Sequence, residues 1–247
     1  MRAEYAELSL RGGRDSNQDR VAVAVADEAA LLIVCDGMGG HADGERAAEV
    51  GLQTVVERFW RTPQPLLDPL GFLHLSLGAS HESVVALGVQ LPMELRPRAT
   101  SAVCLLQGNS SYWAHVGDSR IYQLRGGRVL ERTRDHSHVE LLVREGLISA
   151  GQMQNHPMRN FVESCLGGES ILPEMAIGPR HAVRPGDVML VCSDGFWAQL
   201  DDGLLGSAFQ DASRPLRDTL AELASQAVLN AGPGSDNTTV GALRLLQ

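Results

Sequence analysis

The clearest pattern begins at Val21, where Val21, Val23 and Val25 alternate with alanines. A short acidic turn at Asp27 and Glu28 leads from there into an unbroken apolar run, 29–35. Alternation predicts a strand, and the run predicts its hairpin partner, buried on both faces. From Ala47 the apolar spacing turns helical through Gly51, Val55 and Phe59, and Pro63 ends that helix. A second helix is expected between residues 65 and 91. Strands return at 100–107, 111–116, 120–124 and 128–132, the last two joined at hairpin spacing by Gly126 and Gly127, so this block predicts an antiparallel meander. Residues 137–178 break the rhythm: a short helix at 139–145 precedes a polar stretch holding His156, Pro157, Arg159, Asn160, Gly167 and Gly168, which predicts a mobile, flap-like excursion. A dense apolar strand follows at 187–192. The last helix has Ser213 as its expected cap, Pro215 in its first turn, Leu216, Leu220, Leu223 and Ala227 on one face and Gly232 at its stop. A final strand spans 238–245. No repeat or linker interrupts the chain, so one domain over 1–247 with a flap at about 137–178 is expected. Strands in two groups with helices between them predict an α+β sandwich.

Composition narrows the chemistry. All 21 basic residues are Arg and Lys is absent, which excludes a P-loop lysine, a kinase lysine and Schiff-base catalysis. A net charge of −9 repels polyanions, so a nucleic-acid partner is not expected. No apolar run approaches the ~20 residues of a membrane span. Glu4 and Glu7 stand where a secretory signal would need an apolar core, and a cytoplasmic protein is expected. Cys35, Cys104 and Cys192 sit within apolar runs as small hydrophobes, and no C-x-x-C pair exists.

The acidic residues at strand ends carry the chemical signal. Two apolar strands deliver Asp36-Gly37 and, after Ser193, Asp194-Gly195; a third ends in Gly117-Asp118, and Asp236 stands just before the last strand. Each Asp-Gly alone reads as a turn. Four carboxylates converging without four bases nearby would repel one another, and a divalent cation resolves the conflict; all-oxygen ligation selects hard ions such as Mg2+ or Mn2+. The wide spacing along the chain means that the fold, and not an EF-hand loop, would assemble such a site. Gly37, Gly39 and Ala42 also match a dinucleotide-binding G-x-G-x-x-A, with Glu57 further on. Asp36 beside a pyrophosphate, between strands that look antiparallel, argues against that reading.

The segments RDSNQD (14–19), DGMGGH (36–41), VGDSR (116–120), CSDG (192–195) and SDNTT (235–239), with TRDHS (133–137) and HPMRN (156–160) at the flap boundaries, stand in the order of one family. Over 14–245 the chain resembles a bacterial metal-dependent Ser/Thr protein phosphatase of type 2C, of the PPM-like family. The resemblance implies a central antiparallel β-sandwich flanked by helix pairs on both sides (αββα), with a metal cleft at one end. It implies two tight Mn2+ or Mg2+ ions and a third, weaker one. By position Asp36 would bridge the pair, Gly37 would offer its carbonyl, Asp194 and Asp236 would complete the second site, and Asp118 with Asp194 would hold the third ion. Asp19 would orient metal-bound water, and Arg14 would grip the phosphate. His41 is a candidate general acid, although some members carry a histidine directly after the Asp-Gly, where this chain has Met38. Gln18 replaces an acidic residue often found before the first aspartate. His136, His138 and His156 are expected to pack or cap near the flap. The implied activity is hydrolysis of phosphoserine and phosphothreonine in proteins by in-line attack of a metal-bridging water, on substrates of a eukaryotic-like Ser/Thr kinase. No cysteine-phosphatase loop or G-x-S-x-G elbow is present. The alternatives are a weakly catalytic phosphoprotein-binding regulator on the same fold and a two-metal phosphoesterase acting on small molecules.

Overall fold

A computed structural model describes residues 1–38 and 42–246. Its organising strand is β3 (Ala29–Met38), the apolar run of the sequence, in which every residue from Ala29 to Cys35 is fully buried. Period-two geometry sends its side chains to opposite faces. Leu31, Ile33 and Cys35 pack against α1 (Ala42–Arg61) and α2 (Pro69–Leu87), while Ala30, Leu32 and Val34 pack against a second sheet. Burying each leucine contributes roughly 1.5–3 kcal/mol, which fixes the register of the strand.

Among the described residues the larger sheet has eight strands. β3 pairs with β2 (Asp19–Val25), with β5 (Ser101–Gln107) and, at its end, with β4 (Arg98–Ala99). β5 continues to β6 (Ser110–Val116). The short strands β9 (Leu166–Gly167), β10 (Ala176–Ile177) and β11 (His181–Ala182) fasten the outlying segment to this sheet. The smaller sheet runs β1 (Ala3–Leu10), β13 (Thr238–Leu245), β12 (Val188–Cys192), β7 (Arg120–Arg125), β8 (Arg128–Arg132). α5 (Asp202–Ala208) and α6 (Leu216–Ala231) cover its outer face through Leu205, Leu216, Leu220 and Leu223, and Met189, Val191 and Leu243 meet the larger sheet. The result is the expected α+β sandwich, in four layers. Every strand pair is antiparallel, including both neighbours of β3, which removes the dinucleotide reading.

Two expectations need correction, and one strand was not expected. The stretch 100–132 is not one meander: β5–β6 lie in one sheet and β7–β8 in the other, because the turn at 117–119 carries the chain between layers. Ser213 does not cap α6. The helix begins after Pro215, and Glu4 of β1 accepts the amide of Leu216 at 2.6 Å. β1 itself went unread; it supplies the edge of the smaller sheet. The excursion from 137 onward starts with α3 (His138–Arg144), capped by Ser137, and its base is tied by backbone bonds from His138 to Phe161 and from Glu163 to His136.

Candidate metal centre and phosphate cleft

The two sheets deliver their acidic residues to one end. Asp36 lies at the end of β3, opposite Asp19 in the β2–β3 register. Asp194 opens α4 (Asp194–Trp197) directly after β12, Asp236 precedes β13, and Asp118 sits in the turn that crosses from β6 to β7. Asp36, Asp118, Asp194 and Asp236 line one cleft of about 840 Å³ together with Arg14, Gln18, Gly37, Glu45, Asn160 and Asn237. The cleft therefore brings together Arg14, Asp36, Gly37, Asp118, Asp194 and Asp236, while Asp19 is buried beside Asp36 and does not line it, and His41 lies outside the described residues.

Local contacts explain why these residue types stand there. A side chain at Gly37 would place its Cβ 2.0 Å from the carbonyl oxygen of Gly44, so only glycine lets the end of β3 meet the start of α1. Gly117 has φ +99°, and Thr100 fills the space where its Cβ would be. The amide of Thr100 donates to the Asp36 carbonyl at 2.8 Å and its hydroxyl meets that of Ser119 at 2.7 Å, so one residue ties β3 to the crossing turn. Asn237 does the same for the Arg14 loop. Its Nδ2 donates to the carbonyls of Arg11 and Ser16, and its Oδ1 accepts the amide of Gln18. Asn237 stood in plain view inside SDNTT, yet its role needs contacts across more than two hundred residues to be seen.

The electrostatics are those of an acidic cluster short of counter-charge. Burial first, and then the neighbouring carboxylates, hold Asp36 and Asp194 well above the usual carboxylate range. Burial pushes Asp19 up to about 6, even though its Oδ2 accepts a 2.7 Å hydrogen bond from Ser193. Asp118 is pushed up to about 7, chiefly by burial and by Asp135. Asp19 Oδ1 is buried without a hydrogen-bond partner, an orphan that needs a cation or an ordered water. Arg14 does not stand free over the cleft: its guanidinium holds Asp236 at 2.6 Å, and Asp194 and Asp36 add attraction. Among the described residues no three acidic, histidine or cysteine side chains form a closed metal-ligating group; the carboxylates ring the cleft wall, with Asp236 turned to Arg14. Surplus negative charge, all-oxygen donors and a buried orphan oxygen fit hard divalent cations.

The histidines behave as expected near the flap. His136 accepts the Gly117 amide and stacks on His115 at 4.7 Å, His138 pairs with Glu163 at 2.8 Å, and His156 accepts the amide of Met158. The four cysteines are free, and burial pushes the Cys35 thiol up to about 12, which keeps it protonated and inert.

Comparison with known proteins places these observations. The sequence profile of the family described as Protein phosphatase 2C matches residues 10–231. The chain is 33% identical over 238 residues to the serine/threonine protein phosphatase PstP of Mycobacterium tuberculosis, covering 96% of this chain but 44% of that protein. The chain thus spans less than half the length of that relative. The structure of the S. agalactiae serine/threonine phosphatase aligns with TM-score 0.89 at 27% identity, covering 99% of this chain and 100% of that one. The catalytic domain of PstP in complex with two manganese ions aligns with TM-score 0.81 at 29% identity, covering 99% of each chain.

Proposed function

The chain belongs to the protein phosphatase 2C family, and from that premise we propose that it hydrolyses phosphoserine and phosphothreonine in proteins with the help of divalent cations. The observation that carries the reading is the convergence of Asp36, Asp194 and Asp236, from ends of both sheets, on a cleft that also holds Arg14. Asp36, Asp194, Asp236 and the Gly37 carbonyl would hold two ions of the Mg2+ or Mn2+ type, and Asp118 with Asp194 a third, weaker one. When bound, such ions supply Lewis-acid charge that lowers the pKa of a water and neutralises phosphoryl oxygens.

The chain's own groups then have defined tasks. Arg14 would offer a planar fork to the phosphate, and Asp236, its present partner, would serve as a cation ligand. Asp19, anchored by Ser193 and paired in register with Asp36, would use its second, unpartnered oxygen to accept a hydrogen bond from water. No side-chain nucleophile is required, in keeping with a buried, protonated Cys35. Substrates phosphorylated by a eukaryotic-like Ser/Thr kinase suit this chemistry. Among the described residues no helix is long and apolar enough to cross a membrane, and the chain's acidity speaks against nucleic acid as a partner.

Turnover of a phosphothreonine peptide, with Mn2+ or Mg2+ restored after chelation, tests the proposal directly. Hydrolysis of nucleotides but not of the peptide would instead identify a small-molecule phosphoesterase, and phosphopeptide binding without turnover would identify a regulator. A second expected result isolates the phosphate grip. Arg14→Ala should lower kcat/KM by ~10- to 150-fold, the loss of a charge-assisted bond to phosphate. Arg11→Ala, three residues away with an exposed side chain, should stay within about twofold. Steady-state kinetics on both variants provides the check; equal effects would remove Arg14 from the phosphate site.

A further inference from the structure

Asp118 and Asp194 belong to different pieces of chain, a turn between sheets and the first turn of α4, and they repel. Asp118 is buried and Asp194 half-buried at the cleft wall, and Asp118 is the largest charge acting against Asp194. The β7–β12 ladder holds the two segments together as far as the Cys192–Arg120 pair, two residues short of each aspartate. Beyond that pair one side chain joins the turns. Trp197 closes α4, where its amide bonds back to the Ser193 carbonyl and the next amide, of Ala198, bonds to the Asp194 carbonyl, so its position relative to Asp194 is fixed by a single helical turn. Its indole Nε1–H donates to the backbone carbonyl of Asp118 at 2.9 Å. Among the described residues this is the one hydrogen bond between the 117–119 turn and α4.

The indole is itself held in place. The Arg120 guanidinium lies 3.3 Å from the centre of the Trp197 ring. Arg120 is fixed in turn by two bonds of 2.8 Å to the carboxylate of Asp135 and one of 3.2 Å to Tyr122. Arg120 and Asp135 are both buried, 8% and 7% exposed, so this fork cannot relax into solvent. A phenylalanine or leucine would fill the same apolar space and cover the same cation or stem. What tryptophan adds is a donor aimed at the main chain of Asp118.

We propose that Trp197 is a positioning residue: its indole N–H, clamped by Arg120 and Asp135, sets the separation of Asp118 and Asp194 and thereby the affinity for the third, weaker ion. The proposal rests on the reading of those two aspartates as that ion's protein ligands. It predicts that the indole reports on the ion without touching it, since the carbonyl that it holds moves with the Asp118 side chain.

The wild-type chain allows a test that does not depend on turnover. In a Mg2+ titration followed by 1H–15N NMR, the indole signal of Trp197, assigned by its loss in Trp197→Phe, should shift over the concentration range of the weak ion. The signals of Trp60 and Trp113 should stay still. In Trp197→Phe the tight ions should bind unchanged and the metal-free melting temperature should hold within ~2 °C, while the metal concentration for weak-phase binding rises about 3- to 10-fold, as expected for one lost hydrogen bond. Turnover on a phosphothreonine peptide should fall at low Mn2+ and recover at high Mn2+. An indole signal that ignores the weak phase, or a variant with lowered melting temperature and an unmoved weak phase, would show a purely structural tryptophan and overturn the proposal. Asp118→Asn separates the two levels of inference: if it leaves the weak phase intact, the assignment of Asp118 falls and the positioning role falls with it. If it abolishes the weak phase while Trp197→Phe does not move it, the positioning role alone falls.

Discussion

Asp36→Asn is expected to lower turnover of a phosphothreonine peptide by at least ~10³-fold and, in the same molecule, to stabilise the chelated protein at neutral pH. The first effect follows from the proposed function, in which Asp36 would serve both tight ions, so that an amide in its place would remove the charge that holds one half of a two-ion clamp. The second follows from the surroundings of Asp36: burial is joined by Asp19, Asp194, Asp118 and Asp236, all acting against its ionised form. An isosteric neutral group relieves that repulsion, which is worth on the order of 1–2 kcal/mol, or a few degrees in melting temperature. Activity and stability should therefore move in opposite directions. Calorimetry of the chelated variant beside its steady-state rates checks both. A variant that is folded and nearly as active as wild type would refute the metal assignment, and one that is inactive and less stable would show Asp36 to be a structural group.

Divalent cation should stabilise the wild-type protein far more at pH 7.5 than at pH 5. Asp19 and Asp118, at about 6 and about 7, stand above the ordinary carboxyl value of 3.8 that they regain on unfolding. Their protonation favours the folded state. That contribution is fully present below pH 3.8 and is lost as the pH rises through 6 and 7, on the order of a few kcal/mol for the coupled cluster. At pH 7.5 cations take over the neutralising role of the protons; at pH 5 protons already hold much of the site. Saturating Mg2+ is expected to raise the melting temperature by roughly 5–10 °C at pH 7.5 and by less than about half as much at pH 5. His115, which burial and His136 push down to about 4, works the other way and weakens the fold as the pH drops below 6.5. It lies outside the ion cluster, so comparing samples with and without Mg2+ at each pH cancels it. An equal shift at both pH values would mean that the cation binds elsewhere than among these carboxylates.

Much of this was legible in the residues themselves. An apolar run of seven such as 29–35, set after an alternating strand and an acidic turn, suits a strand buried on both faces, and Asp36-Gly37 at its end is costly unless it serves a purpose. The same reasoning found Asp118, Asp194 and Asp236. What the sequence hid were relations between distant segments. Gly117-Asp118-Ser119 has the spacing of an ordinary hairpin turn, and nothing local shows that it leaves one sheet for the other. β1 escaped because a charged residue, Glu4, falls where a plain pattern would place an apolar one. Its carboxylate is spent on Arg244 and on the first amide of α6, which also explains why Ser213 is not needed as a cap. The Arg14–Asp236 pair spans 222 positions and is invisible to any motif.

The cleft straddles two sheets, and this makes its geometry a property of the layer between them. Asp36 travels with the larger sheet, Asp194 and Asp236 with the smaller one, and the side chains that fill the gap include Leu32, Val34, Met189, Val191 and Leu243. Close-packed interiors transmit a change of even one methylene. A methionine exchanged for a smaller residue at 189 would thus act as a shim withdrawn from a vice: the jaws shift although none of their teeth has been altered. On the proposed function, cation affinity at the cleft is expected to respond to this apolar layer, and a library confined to those five interior positions should yield variants with graded cation requirements and an untouched cleft lining.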